Sequence, residues 1–441
     1  MNFKKNIAAW KKFPEVETLG YYHSIGNYIY LNEIESETEF EKILQNPSLD
    51  RERYSIYIHE NQHYLDQIST LWGVQNIYKI YRAFDSMLAQ KETDFYKARN
   101  LILALKRDYF LDYYTTINNP IDGDYKNPWK FQITIGYRFD HEGKLDYNLP
   151  IPFIKFASKN DELITRVPIS VKSLLETTAT YAEYNFKLKE ILKLNSPFKE
   201  HQISRMSEQL EKKLYNHKLA LYSAAVHLAS VYLKINDPII AFKASSLFAK
   251  IALNIPNNLF DEISIPKQFE QSEEWVKRCK QLLKNKDRGF TYFLLINNYI
   301  DYNEGKEAND ICVNDILSAS NLPLEDEIHK IIAKEIEKLD FDTLTEGNNF
   351  SKPIIDKVFY GNKFRENTGI GQQNQADNLS DFLREEPHLI FNSTFFEYEN
   401  LDLRPIIDKV VAQQNITREE WFRFHTYFEK KIDDFDVICG I

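Results

Sequence analysis

Only 13 of the 441 residues are glycine, where ordinary usage would give about 30. That scarcity favours helices and leaves little material for loops that cradle phosphate. Neither GxGxxG nor GxxxxGK[ST] occurs, so the usual nucleotide-binding readings start weak. Cysteine is also rare. Cys279, Cys312 and Cys439 are odd in number and widely spaced, which suggests neither a disulfide framework nor a thiolate zinc site and fits a reducing compartment. No stretch approaches 18 uninterrupted apolar residues, so no membrane-spanning helix is expected. The N-terminal "MNFKKNIAAWKKFPEVE" has positive charge without an apolar run behind it and is not a secretory signal. Basic residues are outnumbered, 55 Lys and Arg to 65 Asp and Glu, for a net charge of -10. That balance argues against a sequence-independent grip on nucleic acid. Stretches such as "EKKL" and "RCKQLLKNK" are solvated helix faces rather than phosphate tracks. The expectation is an acidic cytoplasmic protein with no nucleic-acid and no membrane partner.

What is present is a globular composition, 43% hydrophobic and 14% aromatic, in a chain long enough for two or three domains. Residues 52 to 72 have the pattern of a helix, with Gly73 as a stop signal just past its end. Helical material continues to about residue 114. The texture then changes to β-branched and aromatic in "KFQITIGYRFDHEGKLDYNLPIPFIKFA", a hairpin turning at His141-Glu142-Gly143. Pro168 and Ser170 open a helix through "LLETTATYAEYNFKLKEILKL", and the pattern from His201 to about Leu253 is helical again. The polar stretch 348–378, with "YGNKFRENTGIGQQNQADN" inside it, has the composition of a mobile loop. A verbatim "PIIDKV" at 353–358 and 405–410 fits chance or two similar helix starts.

The chemistry concentrates in "YIHENQHYLDQ", Tyr57 to Gln67. On an α-helix, residues four apart project from one face about one turn apart. His59 and His63 therefore offer two imidazole nitrogens to a single metal ion, and Glu60 stays near enough to reach a water at that ion. This is the mechanical content of H-E-x-x-H: two Zn²⁺ ligands and a general base from one helical turn. Ile58, Leu65, Ile68 and Trp72 form an apolar stripe on one side. His59, His63, Asp66 and Thr70 share another. No lysine stands between Arg53 and Lys79, so the histidine face is expected to be buried or to line a cleft.

"YIHENQHYLDQIST" resembles the active-site helix of zincin-type metallopeptidases over about twenty residues. The metzincin extension is excluded, because Asp66 stands where its glycine would be and Ser69 where its histidine would be. The gluzincin branch implies a glutamate ligand from a later helix. Glu176 in "SLLETTATYAEYNF" is the candidate, on a face shared with Ala179, Thr180 and Glu183. The same glutamate ends Ser173-Leu-Leu-Glu176, the spacing of a capping box, and Lys172 and Lys187 flank its face as on a solvated surface. Glu183 is the other candidate ligand. The step from His63 to Glu176 is long for that branch, and Thr180 stands where some members carry an orienting aspartate, so Asp66 or Glu183 would have to orient a histidine. Gluzincins also use a tyrosine or histidine on the oxyanion, and with 27 tyrosines the sequence singles out none. His227, in the apolar "AAVHLASVY", has the setting of a core histidine. His141, His201, His217, His329, His388 and His425 have no metal-spaced partner.

The sequence thus points to a mainly α fold with a small β element (α+β), holding a zincin-like pair of active-site helices and a further helical region. Residues 1–195 would form the metallopeptidase core. Residues 196–345 would complete the cleft or dock a partner protein, and 346–441 would be a polar loop followed by a helical region. The expected function is hydrolysis of a peptide or protein substrate, with His59, His63 and Glu176 holding Zn²⁺ and Glu60 as general base. The rival from another class is a non-catalytic protein-interaction module with a structural or degenerate zinc site, since over half of the chain carries no legible chemistry.

Overall fold

Helix dominates: 63% of the structure is α-helical and 12% lies in strands of two small sheets. The computed structural model describes residues 19–88, 92–109, 111–140, 142–303, 310–346, 352–371, 387–392, 403–412, 414 and 416–439. The chain opens with strands β1 (Gly20–His23) and β2 (Tyr28–Leu31), then helices α1 (Glu37–Gln45), α2 (Arg51–Ser69), α3 (Leu71–Leu88) and α4 (Glu92–Tyr109). Strands β3 (Thr116–Ile117), β4 (Lys130–Phe139), β5 (Leu145–Ala157) and β6 (Leu163–Pro168) follow. A long helical stretch comes next: α5 (Val171–Leu192), α6 (Phe198–Leu214), α7 (Ala220–Tyr232), α8 (Pro238–Asn254), α9 (Glu273–Lys284), α10 (Arg288–Tyr302) and α11 (Glu325–Glu337). Helix α12 (Lys352–Thr368), strand β7 (His388–Phe391) and helices α13 (Arg404–Val411) and α14 (Arg418–Cys439) complete it. Among the described residues no helix is long and apolar enough to cross a membrane.

These elements gather into two units that interleave along the chain. One draws on described residues of 107–332 and 368–371. Its sheet runs β3-β6-β5-β4, all antiparallel. The expected hairpin is its β4–β5 pair, with Gly143 at φ 74 in the turn, a conformation that favours glycine. Helix α5 packs against α7 and α8, and Phe153, Phe156, Phe248, Phe290 and Phe293 are fully buried in this unit.

The other unit draws on described residues of 19–106, 333–367 and 387–439. Strand β2 pairs antiparallel with β1 and parallel with β7, setting Tyr28 beside His388. Helix α2 lies against β1, β2, α1 and α3. Asp50 caps its start, accepting from the Arg53 N–H at 3.4 Å. Its end differs from the expectation. The helix stops at Ser69, Thr70 turns extended, and Gly73 sits inside the next helix instead of closing this one. The reason is a double use of Thr70. Its hydroxyl donates to the Asp66 carbonyl at 2.6 Å and accepts from the Gly73 N–H at 3.1 Å, which caps α3. Gly73 is needed for close approach, since a Cβ there would lie 2.1 Å from the Gln67 carbonyl oxygen.

A second correction concerns the polar stretch 348–378. Residues 352–368 form α12, a helix with Ile354, Ile355 and Val358 buried, rather than a mobile loop. The rest of that stretch, apart from 369–371, lies outside the described residues. Both copies of "PIIDKV" fall at helix starts, in α12 and α13.

Candidate metal centre

Helix α2 is buried along most of its length, which is unusual for so polar a segment. Tyr57, Ile58, Leu65 and Ile68 are buried as the apolar stripe requires, and Glu60, Asn61, Gln62, Asp66 and Gln67 are buried with them. His59 and His63 are half-buried on the same side. Their rings stand one turn apart with centroids 5.1 Å from each other and planes at 80°. Asp66, three residues on from His63, accepts from the Gln62 amide at 2.8 Å.

Strand β1 runs beside this helix. Gly20 and Tyr22 face it, as alternation along a strand demands. A Cβ on Gly20 would lie 3.0 Å from Ile56 Cγ2 and 3.3 Å from Glu60 Cγ, while the Tyr22 ring meets Tyr64 edge-on at 6.3 Å. Tyr21 and His23 point the other way, stacking on Tyr30 and Tyr28. Among the described residues β1 has β2 as its one strand neighbour.

Helix α5 starts one turn earlier than a Ser173–Glu176 capping box would need. Ser170 is its cap, and the reciprocal pair is Ser170 with Ser173. Glu176 therefore lies in the second turn, past the N–H groups a cap could satisfy, and the capping-box alternative is corrected. Glu183 is tied elsewhere. Its carboxylate meets Lys187 Nζ at 3.0 Å and Lys213 Nζ at 3.5 Å.

Ligand atoms of His59, His63 and Glu176 all lie within 4.8 Å of one another. Two imidazoles and a carboxylate are the donor chemistry of a catalytic zinc site. Bonds of about 2.0–2.2 Å in tetrahedral geometry place such atoms roughly 3.4 Å apart, so donors within 4.8 Å of one another could close on a metal ion by small side-chain rotations. Among the described residues the cluster comprises three donors; catalytic sites pair three protein ligands with a water, and closed structural sites use four.

Three other histidines, His227, His425 and His217, have settings of their own. His227 is a core residue: its Nε2–H donates to the Leu214 carbonyl at 2.8 Å, between Trp129, Phe156 and Tyr215. Burial pushes its pKa down to about 4. His425 is buried beside Phe84 and Trp421, and burial, then the nearby His23 and His388, hold its pKa well below the usual value. His217 pairs with Asp122 at 2.6 Å, and His141 lies outside the described residues.

The two depressed histidines set an acid limb. Both are neutral in the folded chain but take up a proton near pH 6.5 when unfolded. Their contribution to stability is complete above that pH and is lost as pH falls below it, for His227 down to about 4. For His227 the full loss is about 3 kcal/mol. Urea midpoints at pH 7 and pH 5 are expected to fall less in His227→Gln, whose amide can still donate to Leu214, than in the wild type. Equal falls in the two proteins would rule out His227 as a source of the acid sensitivity.

Comparison of the chain with protein-family models, with curated proteins and with solved structures returns no match.

Proposed function

We propose that the protein is a zinc-dependent peptidase of the zincin type, in which His59, His63 and Glu176 hold the ion and Glu60 is the general base. The observation that supports this reading is two half-buried imidazoles one turn apart on a buried helix, with Glu60 between them in sequence and a third donor, Glu176, within 4.8 Å. When bound, the ion supplies Lewis acidity, polarising a carbonyl and lowering the pKa of water towards about 7. Glu60 takes the proton of the attacking water on its carboxylate and hands it to the leaving amine nitrogen as the C–N bond breaks. The burial of Glu60 keeps competing bulk water from that carboxylate.

A peptide is the substrate class best supported. Strand β1 passes Glu60 with glycine at the point of approach, so extended backbone already lies beside the base. A second extended chain could pair with such a strand by main-chain hydrogen bonds. Free Cys279 and Cys312 accord with a cytoplasmic setting.

The test is metal analysis of the purified full chain together with cleavage of an unstructured protein such as reduced casein. About one zinc per chain is expected, with hydrolysis lost on chelation and regained on adding zinc. Stoichiometric zinc that chelation removes without any hydrolysis ever being detected would favour an interaction module instead. A metal-free chain that takes up no zinc would end the metallopeptidase reading.

A further inference from the structure

Helix α12 presents three residues one turn apart to the last two turns of α2. Lys357 places its ammonium 5.4 Å from the centre of the Tyr64 ring. Gly361 brings the two backbones together, since a Cβ there would lie 2.2 Å from the Ile68 carbonyl oxygen and 3.0 Å from the Ser69 nitrogen. Arg365, 3% exposed, donates from Nη1 to the Ser69 carbonyl at 2.8 Å and to Asn362 Oδ1 at 3.0 Å. The last carbonyls of a helix have no partner within it, and a cation there also meets the negative end of the helix dipole. Burial pulls the Arg365 pKa down only to about 10, so the guanidinium stays charged at neutral pH.

We propose that Arg365 is a positioning residue for the metal centre: by holding the final carbonyl of α2 it fixes the rotation of that helix and hence the aim of His59 and His63. The inference rests on the metallopeptidase reading given above. Two ligands on one helix turn together when the helix rotates about its axis, and metal sites tolerate only about 0.5 Å of misplacement. A side chain that pins the end of the helix therefore acts on both imidazoles without touching either. Both bonds leave Nη1 of Arg365, whose two N–H groups lie in the fixed guanidinium plane, where an ammonium on a flexible stem would sit less firmly.

The experiment measures zinc affinity by chelator competition, and the visible absorption of the cobalt-substituted protein, on the full chain. The variants are Arg365→Gln, Arg365→Lys and Ile432→Ala, the last a truncation of a buried α14 side chain in the same unit. Arg365→Gln is expected to weaken zinc by about tenfold or more and to alter the cobalt bands, with Arg365→Lys in between at about threefold. Ile432→Ala is expected to lose stability while zinc affinity and cobalt bands stay at wild-type values. Wild-type affinity and spectrum in folded Arg365→Gln would overturn the proposal, as would an equal loss of zinc in Ile432→Ala. Should Arg365→Gln not fold, Arg365→Lys decides alone: altered cobalt bands support the proposal and wild-type bands overturn it. A wild-type chain that binds no zinc fails at the earlier step, which separates failure of the metal reading from failure of this one.

Discussion

Glu60→Gln is expected to keep zinc and lose hydrolysis. Glutamine has the shape of glutamate, so the buried pocket of Glu60 on α2 stays filled and His59 and His63 keep their places. What the amide cannot do is accept the proton of the attacking water. General-base catalysis contributes about 10²–10⁴-fold, and in the proposed mechanism the same residue would also return the proton to the leaving amine, so a drop of at least about 10³-fold is expected. The measurement is turnover of a fluorogenic peptide at saturating zinc, beside zinc content by atomic emission. The two readouts must part company: zinc near one per chain, turnover at background. Unchanged turnover would exclude Glu60 as the base. Loss of zinc together with turnover would assign Glu60 to the ligand set or to holding α2 in place.

The parts of this centre that the sequence announced are those carried by local spacing. His59 and His63 share a helix face because four residues make about one turn, and the absence of lysine between Arg53 and Lys79 foretold the burial of that helix. The hairpin at Gly143 and the helix opening at Ser170 were likewise legible, since turn and cap chemistry act within a few residues. Long-range pairing was not legible. Strand β2 joins β7 in parallel across more than 350 residues, and four-residue strands carry too little alternation to announce a partner. The strand beside Glu60, β1, was missed for that reason.

Glycine misled twice, for one physical cause. Gly73 has the position of a helix stop and Gly361 sits in a polar run, yet both lie within helices. In each case the missing Cβ lets a second backbone come close, Gln67 to Gly73 and Ile68 to Gly361. Composition alone cannot separate a glycine that bends the chain from one that admits a neighbour. Arg365 was hidden similarly: an arginine in "NKFRENTG" has the look of a solvated residue until the helix end it satisfies is known. Such residues are identified by what they touch, not by what surrounds them in sequence.

Glu176→Gln separates a ligand from a bystander. A neutral amide is a poor donor to zinc where a carboxylate stood, and loss of one of three protein ligands is expected to weaken binding by about two orders of magnitude or more. The fold should suffer chiefly through the lost metal, so raising free zinc would recover part of the thermal midpoint by mass action. The structure sharpens the comparison with Glu183→Gln. Glu183 holds Lys187 and Lys213 against α5, so its loss should cost the contacts of a partly buried ion pair while zinc content stays at the wild-type level. The two variants are thus expected to fail in opposite columns, one in affinity that zinc can restore and the other in stability that zinc cannot. The capping alternative makes its own forecast. Glutamine would replace glutamate in a cap with a change of no more than about 1 kcal/mol, and zinc would be unaffected. The Ser170–Ser173 pair already occupies that cap, so this outcome is not expected. Zinc lost at Glu183 and kept at Glu176 would move the third ligand seven residues along α5. Zinc kept in both would leave His59 and His63 needing another partner and would remove the gluzincin-like arrangement altogether.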